Sequence, residues 1–219
     1  HELYHTWNIK AIRPADMLPY DYTKENYSKL GYVAEGVTTY MGDVMLHRAR
    51  VFDWKAFAKK QNENLKRHFE NEGRHNLSVA DSSFDTWLDG YELGIPNRKT
   101  SIYTEGALNM LMIDLHIIQH SQGMHSLNDV MKILYHDFAL KGNGYNEEEF
   151  QILCVEKGGL KVAEIFSKHI YGTEDYTNSL QEALTIVGLQ LTAQENSSFS
   201  ARYFGFMTAK EDGKTIIKK

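Results

Sequence analysis

The chain opens with HELYH, residues 1–5, and the reading of this stretch decides the rest. On a helix, side chains four positions apart lie one above the other on the same face. His1 and His5 can therefore aim imidazole nitrogens at one divalent ion, at about 2.0–2.1 Å each for zinc. Glu2 is one residue further on and projects beside such an ion, where its carboxylate reaches a water held there. The spacing predicts a short helix over residues 1–9 that carries two metal ligands and a general base.

A hydrolytic zinc centre needs a third protein ligand and an open position for water. Glu35, within YVAEGVTTY (residues 32–40), is the strongest candidate. It stands in a helical pattern among small and apolar neighbours, where an isolated carboxylate is costly to bury and a cation offsets that cost. The competing reading is a solvent-facing glutamate. Thr39 and Asp43, four and eight residues after Glu35, share its helical face and are candidates to orient a ligating histidine. A second pair at the same spacing, His116 and His120 in HIIQH, has no glutamate beside its first histidine and reads as a polar stripe shared with Asn109. His68 and His169, like the other scattered histidines, read as surface or satisfied side chains.

A chain of 219 residues suggests one domain or one and a fraction. The net charge of −5 is spread over mixed acidic and basic residues, so the basic footprint of a nucleic-acid binder is missing. Cys154 is the only cysteine, lies in a helical pattern and reads as a small buried hydrophobe; no intrachain disulfide can form. The longest apolar stretch, GALNMLMIDL (106–115), is interrupted by Asn109 and Asp114 and is too short to span a bilayer. Nothing in the sequence assigns a compartment.

Helical periodicity dominates after a Pro-containing first loop, KAIRPADMLPYDYT (10–23). Helices are expected over about 27–49, over 54–72 behind an Asp53 cap, and within ADSSFDTWL (80–88), where Ser82 and Asp85 have capping-box spacing. A long apolar helix follows over about 103–121, then helices capped by Ser126 and by Asn146 with Glu149, and two more in LKVAEIFSKHIYG (160–172) and SLQEALTIVG (179–188). After Gly188 the character changes. LQLTAQ (189–194), ARYFGFMTA (201–209) and KTIIKK (214–219) read as strands, with EDG (211–213) as a turn. The expected fold class is mainly α, with short strands near the C-terminus and a boundary near residue 190.

HELYHTWNIKAIRP (1–14) and YDYTKENYSKLGYVAEGVTTYMGD (20–43) resemble the metal-helix and third-ligand blocks of the glycyl aminopeptidase family of gluzincin zinc metallopeptidases. LSVADSSFDTW (77–87), SIYTEGAL (101–108) and HIYGTEDY (169–176) resemble further blocks of that family. The spacer of 29 residues between His5 and Glu35 is longer than in aminopeptidase N and fits this family. The resemblance implies Zn2+ as cofactor, held by His1, His5 and Glu35, with Glu2 as general base. It implies that Tyr103, in YTEGAL, donates to the reacting oxyanion.

By the same resemblance, residues 1–190 form the helical half of a thermolysin-like catalytic domain and residues 191–219 begin a PDZ-like β domain. A β-rich N-terminal domain and the sheet half of the catalytic domain are expected upstream in the parent chain. The residues that grip a substrate's free amino terminus belong to that part, so this piece by itself is expected to be an incomplete enzyme. The implied activity is hydrolysis of peptides with small N-terminal residues such as glycine. A zinc endopeptidase and a non-catalytic helical interaction module remain as alternatives.

Overall fold

The computed structural model describes residues 1–89, 95, 97–195 and 198–218. They fall into two compact units, His1–Leu189 and Gln190–Lys219.

The first unit is helical. Helix α1 (Thr38–Arg48) continues without a break from π-helical turns over Tyr32–Val37. It is followed by α2 (Trp54–Glu70), the short α3 (Val79–Phe84) and α4 (Thr86–Asp89), α5 (Thr104–His120), α6 (Leu127–Ile133), α7 (Glu147–Ile165) and α8 (Thr177–Ile186). The caps follow local rules. Asp53 accepts from the Ala56 amide (2.7 Å) at the start of α2. Asn146 and Glu149 exchange side chain–backbone bonds of 2.9 and 2.8 Å at the start of α7. At α6, Asp129 accepts from the Ser126 amide.

Helix α5 occupies the centre, and every residue from Thr104 to Ile117 is buried. TEGALNMLMIDLHI is apolar on nearly all sides, and such a helix is stable only when others surround it. It packs against α7, the Tyr32–Val37 turns, α8, α2 and α1. The crossing with the π-helical turns is made by two glycines. A Cβ at Gly36 would come 2.4 Å from Gly106 Cα, and one at Gly106 would come 2.7 Å from Gly36 Cα. The two backbones therefore touch, which no larger residue allows. Asp114, midway along α5, accepts from the Tyr40 hydroxyl (2.7 Å) and the Leu127 amide (2.7 Å), tying α1 and the start of α6 to the central helix.

Several local expectations are corrected. Residues 1–9 form no α-helix; the regular part is one 3-10 turn, Tyr4–Thr6, because a stretch this short is α-helical only where packing against its neighbours holds it so. The long helix begins at Tyr32 rather than near residue 27. The cap of α3 is Ser78, which accepts from the Asp81 amide, while Ser82 accepts from Thr100 across the fold. Helix α2 ends at Glu70, followed by a 3-10 turn at Glu72–His75. The helices expected on either side of residue 159 run into each other with a kink at Gly159 (φ 68°) and continue as π-helical turns to Ile170.

The second unit holds α9 (Phe199–Phe204) and a hairpin of β1 (Met207–Glu211) with β2 (Lys214–Lys218). Met207 faces Lys218 and Glu211 faces Lys214 across an Asp212–Gly213 turn with φ of 51° and 74°, the handedness a two-residue hairpin requires. The turn lies in the expected place. LQLTAQ is not a strand, and ARYF is helical behind a Ser198 cap. β-branched alternation needs a pairing neighbour to become a strand, and among the described residues only the hairpin provides one. Among the described residues no helix is long and apolar enough to cross a membrane.

Candidate metal centre

Although the first turn is not an α-helix, the His5 amide still reaches back to the His1 carbonyl (3.3 Å), as does the Tyr4 amide (2.9 Å). The two histidines therefore lie on one side of the turn, ring edge to ring face at 4.6 Å, as the four-residue spacing requires. His1 Nε2 and His5 Nε2 are 3.1 Å apart, and Glu35 Oε2 lies 3.1 Å from the first and 3.4 Å from the second. Three donors at about 2.0–2.1 Å from one ion, at tetrahedral angles, are about 3.3–3.4 Å from each other. The triangle formed by these two nitrogens and one oxygen is close to that size. The donor set is two neutral imidazoles and one carboxylate, a set that suits zinc. The residues present fit the ion.

The far side of each ring is held. His5 Nδ1 lies 3.0 Å from the Asn8 carbonyl and 3.4 Å from Thr38 Oγ1. A carbonyl can only accept, so Nδ1 carries the proton and Nε2 keeps its lone pair for a metal. His1 Nδ1 lies 3.2 Å from Thr39 Oγ1. Of the two residues expected on the Glu35 face, Thr39 thus touches a histidine. Asp43 instead lies within the electrostatic reach of Lys60 and Glu63.

Glu35 is half-buried. Burial pushes its carboxyl above the usual carboxylate range; the neighbouring His5 opposes this, Glu2 adds to it, and a hydrogen bond from Tyr103 lowers it again. Glu2 is exposed, and one of its oxygens lies within 4.8 Å of the His1 and His5 donor atoms. Glu35, however, presents one oxygen to both nitrogens at closer range. Glu35 therefore completes the triangle and Glu2 flanks it. Tyr103, the residue before α5, lies with its ring tilted 5.8 Å from the His1 ring as well as reaching Glu35. The Gly36–Gly106 crossing explains this meeting: Glu35 precedes one glycine and Tyr103 stands three residues before the other.

His1, Glu2, His5, Glu35 and Tyr103 are thus gathered in one place. Among the described residues, no other group of three His, Cys, Asp or Glu side chains lies close enough to hold an ion. His116 is buried, and His120 packs on Gly159. Residue-by-residue reading missed Asn8 and Thr38. The available signal was position, since each follows a ligand by three residues and so shares its face.

Residues 1–109, about half of the chain, match the sequence profile of the M61 glycyl aminopeptidase family. The chain belongs to that family. The match spans all five gathered residues of this M61 chain. The crystal structure of an aminopeptidase N family protein from Idiomarina loihiensis superposes with a TM-score of 0.74 at 30% identity, over 81% of the M61 chain. The M61 chain spans 31% of that protein's length. No curated protein sequence matches it.

Proposed function

We propose that this chain is the helical half of a gluzincin zinc-peptidase catalytic domain, which in its parent protein acts as an aminopeptidase. The observation that carries the reading is the triangle of His1 Nε2, His5 Nε2 and Glu35 Oε2, with sides of 3.1, 3.1 and 3.4 Å. Zinc in that triangle supplies a Lewis acid that polarises a scissile carbonyl and lowers the pKa of water from about 15.7 toward about 7. Glu2, exposed beside the triangle, takes the proton from the attacking water and passes it to the leaving amine. The Tyr103 hydroxyl bonds Glu35 in the absence of substrate, and with substrate it turns to donate to the oxyanion.

Peptide is the substrate class, and the family's name supports small N-terminal residues such as glycine. The sheet that would hold the peptide backbone and the groups that would hold its amino terminus belong to an upstream β domain of the parent. Gln190–Lys219 is the start of a PDZ-like domain in this reading.

Calorimetric titration of the chain with zinc tests the centre. One zinc per chain, lost in Glu35→Gln, is expected; a chain that takes no zinc, or a variant that keeps it, overturns the proposal. For the activity, the parent protein is expected to cleave glycyl p-nitroanilide and to spare the same substrate with its amine acetylated. Equal cleavage of peptides with free and blocked amines would replace the aminopeptidase by an endopeptidase.

A further inference from the structure

Asn8 is fully buried three residues beyond His5. Its side-chain nitrogen lies 2.9 Å from the Val33 carbonyl, 3.2 Å from the Ala34 carbonyl and 3.1 Å from Thr38 Oγ1. Thr38 donates its own hydroxyl proton to Ala34 O (2.7 Å), so its lone pairs are free to accept from Asn8. Three acceptors around one atom fix the orientation of the amide, because the reversed form would press Oδ1 against two carbonyl oxygens. The Asn8 backbone carbonyl, meanwhile, accepts from His5 Nδ1 at 3.0 Å.

Packing does not account for this residue. Asn8 Oδ1 is buried with no hydrogen-bond partner among the described residues, a desolvation cost that an apolar side chain of the same size would avoid. What Asn8 does is join two places. One is the ring of His5. The other is the pair of residues directly before Glu35, in a helical segment wound as π-helix over Tyr32–Val37. Such segments are uncommon and concentrate at functional sites, because the extra residue per turn re-aims the side chains that follow.

We propose that Asn8 is a positioning residue for the metal centre: its side-chain amide clamps the π-helical turn that aims Glu35, while its backbone carbonyl sets the ring of His5. One residue thus sets both arms of the donor triangle across a gap of 29 residues. Thr38 completes the clamp by bridging Asn8 and Ala34. The inference rests on the zinc reading proposed above, since a clamp on the donors has a purpose only where the donors hold an ion.

The test compares zinc binding by the 219-residue chain with that of Asn8→Leu, which keeps the branched shape of the side chain and removes the amide, and of Thr38→Val. Partners that orient metal ligands typically change affinity by about 10–100-fold, and a loss of that size is expected for Asn8→Leu, with a smaller loss for Thr38→Val. Circular dichroism of the metal-free proteins is expected to show the same helix content in all three. Wild-type affinity in a folded Asn8→Leu overturns the proposal and leaves the zinc centre standing, whereas a wild-type chain that takes no zinc removes the centre itself.

Should Asn8→Leu fail to fold, nitrogen-15 NMR of the zinc-loaded wild type decides. The proposal expects a protonated His5 Nδ1, zinc on Nε2, and slow exchange of both Asn8 side-chain protons. Zinc on Nδ1, or freely exchanging Asn8 protons, overturns it.

Discussion

Two histidine–glutamate contacts in this protein use the same chemistry in opposite settings. His68 Nδ1 lies 2.7 Å from Glu105 Oε2, and both side chains are sealed, with 0% and 1% of their surface exposed. The rings of Phe69 and Tyr176 close over His68 at 4.8 and 4.5 Å. In the other setting, His1 and Glu35 keep 29% and 21% of their side-chain surface in solvent, and a second histidine shares the same carboxylate oxygen. The sealed pair has one nitrogen per carboxylate and no side on which water or substrate could enter. Its geometry joins α2 to α5. The open cluster has three converging donors and a free approach. Residue type therefore does not separate a structural pair from a candidate metal centre; the number of donors facing one point and the access to that point do.

That contrast can be broken by exchanging what each site loses. The largest effect is expected at the open cluster. With zinc at a hundred times Kd, binding is expected to stabilise the wild type by about 2.7 kcal/mol, and Glu35→Gln should abolish that gain in thermal melts with and without chelator. The sealed pair should behave the other way. Removing one partner of a buried pair costs about 3–5 kcal/mol, so His68→Leu should unfold at much lower urea while its folded fraction still takes zinc. A His68→Leu variant that loses zinc without losing stability would contradict the distinction.

Tyr103→Phe, made in the longer parent protein, should lower kcat by about 10²–10³-fold with zinc affinity retained. A loss under about threefold would remove Tyr103 from the chemistry. Gly106→Ala sharpens the link between core and site. Its Cβ would meet Gly36 Cα at 2.7 Å, so overpacking should cost about 1–3 kcal/mol and part Tyr103 from Glu35, which urea titration and parent kcat read separately.

The smallest effect concerns pH. Burial holds the His116 and His169 rings below their ordinary 6.5, against the opposing influence of nearby carboxylates and acceptors. Each folded-state value is depressed, so the unfolded chain binds protons first. The stability these neutral rings contribute is present above about 6.5 and is lost as pH falls toward their folded values. His116→Gln should flatten that pH dependence, in melting curves recorded from pH 7 to pH 5.

The local devices were open to reading. The Asp53, Ser126 and Asn146 caps, the buried central helix and the Asp212–Gly213 turn each depend on neighbours within a few residues. The misreadings share one cause. ARYF has strand-like composition yet became helix, and residues 1–9 kept the two histidines on one side without forming an α-helix, because both outcomes depend on what packs against the segment.

The sequence alone determined the chemistry available: two imidazoles four apart, an acid beside them, and a lone glutamate in an apolar setting. It determined which faces of the helices are apolar, because periodicity reports the direction in which a side chain leaves its own backbone. The tertiary structure decided which faces meet. Glu35 comes to His1 and His5 across 29 residues, and Tyr103 comes to Glu35 only because Gly36 and Gly106 let two backbones touch. Contacts of that separation depend on packing over the whole core, and no local pattern records them.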